Sequence, residues 1–177
     1  MEETGVHNSA DSSDETAIEL RQEIYRSDVE KMTEWVNDDD VTRYLNEEQN
    51  IQDTLQRVLQ NTSLPIFSHQ FNRNGSFFMI SLTRYGPIGF LRLVPKDEGA
   101  EIVVVIGERS QWGNGYGYLA VKKGVKHAFF QWREDKVIAK IQPQNSRSKH
   151  IFRKAGFTHE QDLHSAEKFT LEMDEYL

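Results

Sequence analysis

The chain has 177 residues, no cysteine, and 21 Lys plus Arg against 28 Asp plus Glu, a formal net charge of −7. That length makes one domain with a core of its own, and the lack of cysteine excludes disulfide frameworks, thiolate nucleophiles, zinc ribbons and iron–sulfur clusters. Five acids (Glu2, Glu3, Asp11, Asp14, Glu15) fall in residues 1–16, which hold no Lys or Arg, so the remainder carries 23 acids against 21 bases. A body so nearly balanced has no cationic surplus for a phosphate backbone, which argues against nucleic acid as a partner. No apolar run approaches the ~20 residues that span a bilayer, and the first residues lack the basic and apolar regions of a secretion signal. The expectation is a cytoplasmic protein with no membrane partner, monomeric or homodimeric.

In chain order, residues 1–16 are polar and acidic and read as a disordered tail, followed by one domain over 17–177. Ile18, Leu20 and Ile24 alternate with charged residues as in a half-buried strand. Ser27 stands three residues before Glu30, the spacing of a capping box, ahead of Met32, Trp35 and Val36 on a short helix. Ile51, Leu55, Val58 and Leu59 form the stripe of a second helix, with Pro65 beyond its end. Residues 77–82, 88–94 and 101–106 are three strands joined by two hairpins. The third, Glu101-Ile102-Val103-Val104-Val105-Ile106, is apolar on both faces and so central, covered by helices. A Gly-rich loop then opens a helix to about Phe130, Val137–Ile141 is a strand, Asn145 caps a helix that Gly156 stops, and one or two strands end near Phe169–Met173. The order predicts an α/β fold with a mixed antiparallel and parallel sheet of six to seven strands and about four helices.

Chemistry concentrates in Gln111-Trp112-Gly113-Asn114-Gly115-Tyr116-Gly117, between a buried strand and a helix. Alternate glycines let backbone N–H groups face outward, and the helix start adds partial positive charge, so the segment suits an anion. It also suits a tight turn that only needs positive φ. A P-loop would require Gly-Lys followed by Ser or Thr, which is missing, and a dinucleotide fingerprint would require an acid ending the next strand, whereas Asp135 precedes it. His159 and His164 are five apart, not the four of a zinc helix, so no metal is expected.

Trp112-x-x-Gly115-x-Gly117 resembles the acetyl-coenzyme A loop of the GNAT superfamily of N-acetyltransferases, Gln/Arg-x-x-Gly-x-Gly/Ala. Trp at the first position is similar to the branch of the ribosomal-protein acetyltransferases RimJ and RimL. Asn145-x-x-Ser148-x-x-x-Phe152-x-Lys154-x-Gly156-Phe157 resembles a second superfamily segment, one strand later. Glu34–Asp38 and Val41–Leu45 look like the first-helix region of the same branch, so the likeness spans about residues 17–175.

The resemblance implies a V-shaped cleft between the third hairpin strand and the strand after the loop, with acetyl-coenzyme A as co-substrate. The backbone of Val104, Val105 and Ile106 would line the pantetheine and hold the acetyl carbonyl. N–H groups of Trp112, Gly113, Asn114, Gly115, Tyr116 and Gly117 would cradle the diphosphate. Asn145 would bond the pantetheine arm, a role compatible with its capping a helix.

Acetyl transfer to an amine needs a neutral amine, a polarised carbonyl and a proton for the thiolate. Deprotonating a lysine-like amine at pH 7 costs about 4 to 5 kcal/mol, an α-amine only about 1 to 1.5. Glu101 is the candidate base, because Ala100-Glu101-Ile102-Val103 resembles the base-bearing strand of histone-acetylating relatives; an ordinary strand-end carboxylate facing water is the alternative. Phe152 stands where many superfamily enzymes have Tyr and has no proton to give. Ser148, four residues earlier on the same helical face, is the candidate acid. The acceptor is a protein N-terminal amine or a small polycation, which the acids at Asp38–Asp40 and Glu47–Glu48 would attract. Two other readings stand beside this one: a non-catalytic acyl-coenzyme A binding module, to which Phe152 is suited, and a nicotinamide-dependent oxidoreductase, for which the strand order is wrong.

Overall fold

The computed structural model describes residues 17–46, 49–60 and 63–177. The expected tail, 1–16, and the acids Glu47 and Glu48 lie outside the described residues. Seven strands form one mixed sheet: β1 (Ile18–Arg21), β2 (Ser76–Leu82), β3 (Gly86–Lys96), β4 (Gly99–Ile106), β5 (Lys136–Ile141), β6 (Thr158–Asp162) and β7 (Glu167–Glu172), in the spatial order β1-β2-β3-β4-β5-β7-β6. Helices are α1 (Arg26–Val36), α2 (Asp39–Thr42), α3 (Gln52–Gln60), α4 (Ser68–Phe71), α5 (Tyr116–Phe130), α6 (Ser146–Lys154) and α7 (Met173–Tyr176). Four of these are the expected helices; α2, α4 and α7 are single turns with too few residues to show a period. None is long and apolar enough to cross a membrane.

The two hairpins are antiparallel as predicted, β2 with β3 and β3 with β4. β4 sits centrally because both its faces are apolar. Ala100 and Ile102 join a core cluster under α5, with Val121, Val125 and Phe129. Val103 and Val105 join a second cluster under α1 and α3, with Met32, Trp35 and Leu55. β4 meets β5 in parallel register at only two positions, Ala100 with Val137 and Glu101 with Ile138. Beyond them the strands part, and the end of β4 has no strand on that edge.

Two local expectations are corrected. The start of α1 is held by Asp28, not by Ser27 with Glu30: the Tyr25 N–H donates to Asp28 Oδ2 at 2.8 Å, and Arg21 of β1 bonds both oxygens of that buried carboxylate. A partner in another element decided which acid capped the helix. β6, entirely exposed, has no apolar alternation to announce it and forms by pairing with β7 alone.

The end of β4 is fastened to α1 through a close approach. A Cβ at Gly107 would lie 2.2 Å from the ring of Trp35, so only glycine lets the indole seat against the strand end. We expect Gly107→Ala to destabilise the fold by about 2–4 kcal/mol in urea unfolding, and Trp35→Leu in that background to cost less than it costs alone, since it removes the clash.

Candidate active site

Where β4 and β5 part, a cleft of about 810 Å³ opens. One wall is β4 from Ile102 to Ile106; the other is β5 from Ala139 to Ile141 with the start of α6; the loop before α5 and the segment Asp40–Leu45 with Gln49 close the two ends. The unpaired edge of β4 turns its backbone N–H and C=O groups toward this space, an arrangement that accepts an extended chain as an extra strand.

The loop is built from the turn outward. Gly107 and Glu108 donate their N–H groups to the Ile88 carbonyl at 2.8 and 3.0 Å, and a short 3₁₀ turn spans Arg109–Gln111. Trp112 then donates its indole N–H to the Ile106 carbonyl at 2.8 Å, tying the loop to the end of β4. Gly113 and Gly115 have φ of 81° and 82°, in the left-handed region, with open space where a Cβ would be. Gly115 caps α5 without a side-chain bond, so the first-turn N–H groups of that helix point into the cleft mouth with its positive dipole end.

Ten of the predicted residues line the cleft together: Val104, Val105, Ile106, Trp112, Gly113, Gly115, Tyr116, Gly117, Asn145 and Ser148. Asn114 is exposed and off the lining; its amide donates to the Gln111 carbonyl at 3.3 Å and so closes the loop from outside. Asn145 caps α6, accepting from the Ser148 N–H at 3.2 Å, which leaves its NH₂ group for another partner. Phe152 is buried and packs edge-on against Phe157, part of the core rather than a polar position.

Glu101 lies elsewhere than expected. It is 3% exposed, so it does not face water, and it is not on the cleft lining. Its side chain follows the β4 alternation onto the α1/α3 face, where Oε2 is 3.4 Å from Lys140 Nζ and 3.6 Å from Lys96 Nζ. Lys140 does line the cleft, with Glu101 behind it.

Arg109, Lys140 and Arg147 also line the cleft and were not singled out from sequence. With Arg43 and Lys154 they make the lining cationic, and Asp40 is the one carboxylate among the described lining residues. Arg147 stacks on the Trp112 ring, its guanidinium 4.3 Å from the centroid. Asp40 is already engaged, 2.8 Å from Arg109 and 2.5 Å from Arg43. A cleft with this balance suits a ligand bearing several negative charges. Away from it, His159, Asp162 and Glu167 bring ligand atoms within 4.8 Å of one another, but Lys149 sits 3.3 Å from Glu167 and opposes a cation there.

A family model described as acetyltransferase (GNAT) domain matches residues 18–158. No curated protein sequence matches the chain. Among solved structures, it is similar to spermidine N-acetyltransferase from Vibrio cholerae in complex with CoA and spermine, at 16% identity and a TM-score of 0.74, over 91% of this chain and 98% of that one. It is similar to the aminoglycoside acetyltransferase AAC(6')-Ib in complex with coenzyme A, at 18% identity and a TM-score of 0.70, over 90% and 96% of the two chains. A domain from Methanocaldococcus jannaschii DSM 2661 gives 19% identity and a TM-score of 0.68, over 88% and 98%. At these identities the likeness is one of fold.

Glu108 anchors the loop to α1, accepting from the Trp35 indole at 2.9 Å and from Lys31 at 3.2 Å. Burial pushes its carboxyl pKa up, but hydrogen bonds from Trp35 and Lys31 outweigh that and leave it below the usual value. A carboxyl held low in the folded state contributes stability above its unfolded pKa of about 4.3, and that contribution is lost as pH falls through the folded value. Glu108→Gln should therefore be less stable than the parent at pH 7, with the gap closing as urea unfolding is repeated down to pH 3. A gap that stays constant with pH would refute the linkage.

Proposed function

Because the chain belongs to the acetyltransferase (GNAT) family and is an acetyl-coenzyme A dependent N-acetyltransferase, we propose that its acceptor is a protein N-terminal amine, in the manner of the RimJ/RimL-like branch, acetylated by direct attack on the thioester. The amide-rich turn and the cations of the cleft between β4 and β5 support the coenzyme's place; the observation that carries the choice of acceptor is Asp40, whose charge Arg43 and Arg109 take up, so that the described lining offers no free carboxylate to a polycation.

In this reading the N–H groups of the 112–117 loop and the start of α5 hold the diphosphate, helped by Arg147 and Lys154. The pantetheine arm lies along the free edge of β4 at Val104–Ile106, and the Asn145 NH₂ bonds one of its amides. A β4 N–H polarises the acetyl carbonyl. The amine nitrogen attacks the carbonyl carbon, the C–S bond breaks, the leaving thiolate takes the proton of the Ser148 hydroxyl, and the proton lost by the nitrogen returns to Ser148 through solvent, so that the products are the amide and the free thiol. An α-amine supplies enough neutral form at pH 7 to need no strong base, which fits the position of Glu101 behind Lys140. We assign Glu101 the holding of Lys140 at the cleft wall, in place of direct proton removal, and Ser148 the protonation of the thiolate.

A second acceptor class, a small polycation, has one observation in its favour: the fold neighbours named for spermidine and aminoglycosides. Against it stands Asp40, the described carboxylate nearest the acceptor end, whose charge Arg43 and Arg109 already take up.

The test is free-thiol release from acetyl-coenzyme A with a panel of amines. Turnover on peptides with a free N-terminus, well above that on spermidine or an aminoglycoside, is expected; turnover on spermidine or an aminoglycoside equal to or above that on the peptides would overturn the choice of acceptor. Ser148→Ala should lower kcat about 10- to 100-fold with little change in KM for acetyl-coenzyme A. Glu101→Gln should leave the acidic limb of the pH–rate profile, where the rate rises with pH, in place; its disappearance would return Glu101 to the role of base.

A further inference from the structure

A second cavity, of about 450 Å³, lies on the α1/α3 face of the sheet and shares no lining residue with the cleft. Its walls come from α3, α4, the turn before β2 and the far end of β3. Four of its side chains are basic, Arg57, His69, Arg73 and Arg92, and no carboxylate is among its described lining residues. Outside residues 1–16 the acids and bases nearly balance, so three guanidinium groups around one hollow with no described carboxylate are a local concentration of positive charge. Guanidinium forks match the oxygens of phosphate and carboxylate and are weakly hydrated, so they give up water readily to such ligands.

Arg92 links this cavity to the cleft. It rises from β3, where burial lowers its pKa despite the opposing influence of Glu101. Its Nη1 donates to the Gln49 carbonyl at 3.4 Å, and the buried Gln49 side chain donates to the Lys140 carbonyl at 3.1 Å. Gln49 and Lys140 both line the cleft at the acceptor end. An anion that draws the Arg92 guanidinium toward the cavity therefore pulls on a residue of the acceptor wall.

We propose that this cavity binds a small multiply charged anion, a phosphate ester or a polycarboxylate, and that its occupancy is transmitted to the acceptor wall through Arg92 and Gln49. Arg57 and Arg73 are exposed and serve as the grip; Arg92 is the link. The proposal does not depend on which amine the cleft accepts.

The test uses the full chain with saturating coenzyme A, so that the loop at the cleft mouth is filled and cannot take up the probe. Inorganic phosphate and citrate are titrated separately and followed by thermal unfolding, against sodium chloride at matched ionic strength. A saturable rise in Tm, half-complete on the order of 1 mM, is expected for at least one probe, and which of them acts tells phosphate from carboxylate recognition. The Arg57→Gln, Arg73→Gln double variant should need about tenfold more anion or fail to respond, while the Lys double variant at the same positions retains part of the response. Coenzyme affinity should be equal in all three proteins, which separates lost anion binding from lost fold. A Tm that follows ionic strength alone, or an undiminished response in the Gln double variant, overturns the site. In amide NMR of the same samples the Gln49 side-chain resonance should shift with the anion in the parent and, in part, in the Lys double variant, but not at the same anion concentration in the Gln double variant; anion binding that leaves Gln49 unmoved overturns the link.

Discussion

The parting of β4 from β5 after a two-residue parallel contact is the constraint on which the rest depends. A central strand that loses its neighbour exposes backbone donors and acceptors in the middle of a domain, which is tolerated only where something polar replaces the missing ladder. The two core clusters hold β4 in place from both faces, with α5 on one side and α1 and α3 on the other, so the strand keeps its course without the partner. At the fork itself stands Glu101, buried and flanked by Lys140 and Lys96. A buried ion pair of this kind is weak evidence for net stability, but it puts charge at the point where continued strand pairing would close the cleft.

Charge is distributed unevenly for a reason that follows from the same geometry. The chain is acidic as a whole, yet the described lining of the cleft is cationic and its one carboxylate is held by two arginines. A multiply charged anion approaching the molecule meets a body whose charges nearly balance and is drawn to the cationic opening. Arg109 stands at the junction, paired with Asp38 and Asp40 of the α2 segment and lying near the Trp112 ring. The α2 segment and the loop before α5 are therefore tied to each other through Arg109.

Much of the fold and of the cleft was legible because it is written in local backbone chemistry. Gly113 and Gly115 at positive φ and Asn145 at a helix start have their signatures within a few residues, and the apolar run of β4 announces a strand covered on both sides. What was hidden depends on distant partners. Glu101 reads the same in sequence whether its side of β4 faces the cleft or the α1/α3 cluster; only the sheet decides. The capping acid of α1 was chosen by Arg21 on another strand. Arg43, Arg109, Lys140 and Arg147 are ordinary charged residues until the end of α2, the turn before α5, β5 and α6 bring them to one opening. β6 had no pattern to find, since none of its residues is buried.

That last strand has a consequence for the molecule at high concentration. β6 ends the sheet with Thr158, His159, Glu160, Gln161 and Asp162, all exposed, and Glu160 is held by Lys136 and Lys168 from the two neighbouring strands. Were a second molecule to dock its own β6 there, it would meet an exposed polar edge whose acid is already held by two lysines, with no apolar stripe to bury in return. The open end of the sheet is thus a poor template for fibre growth, and crowding of the chain meets a built-in brake.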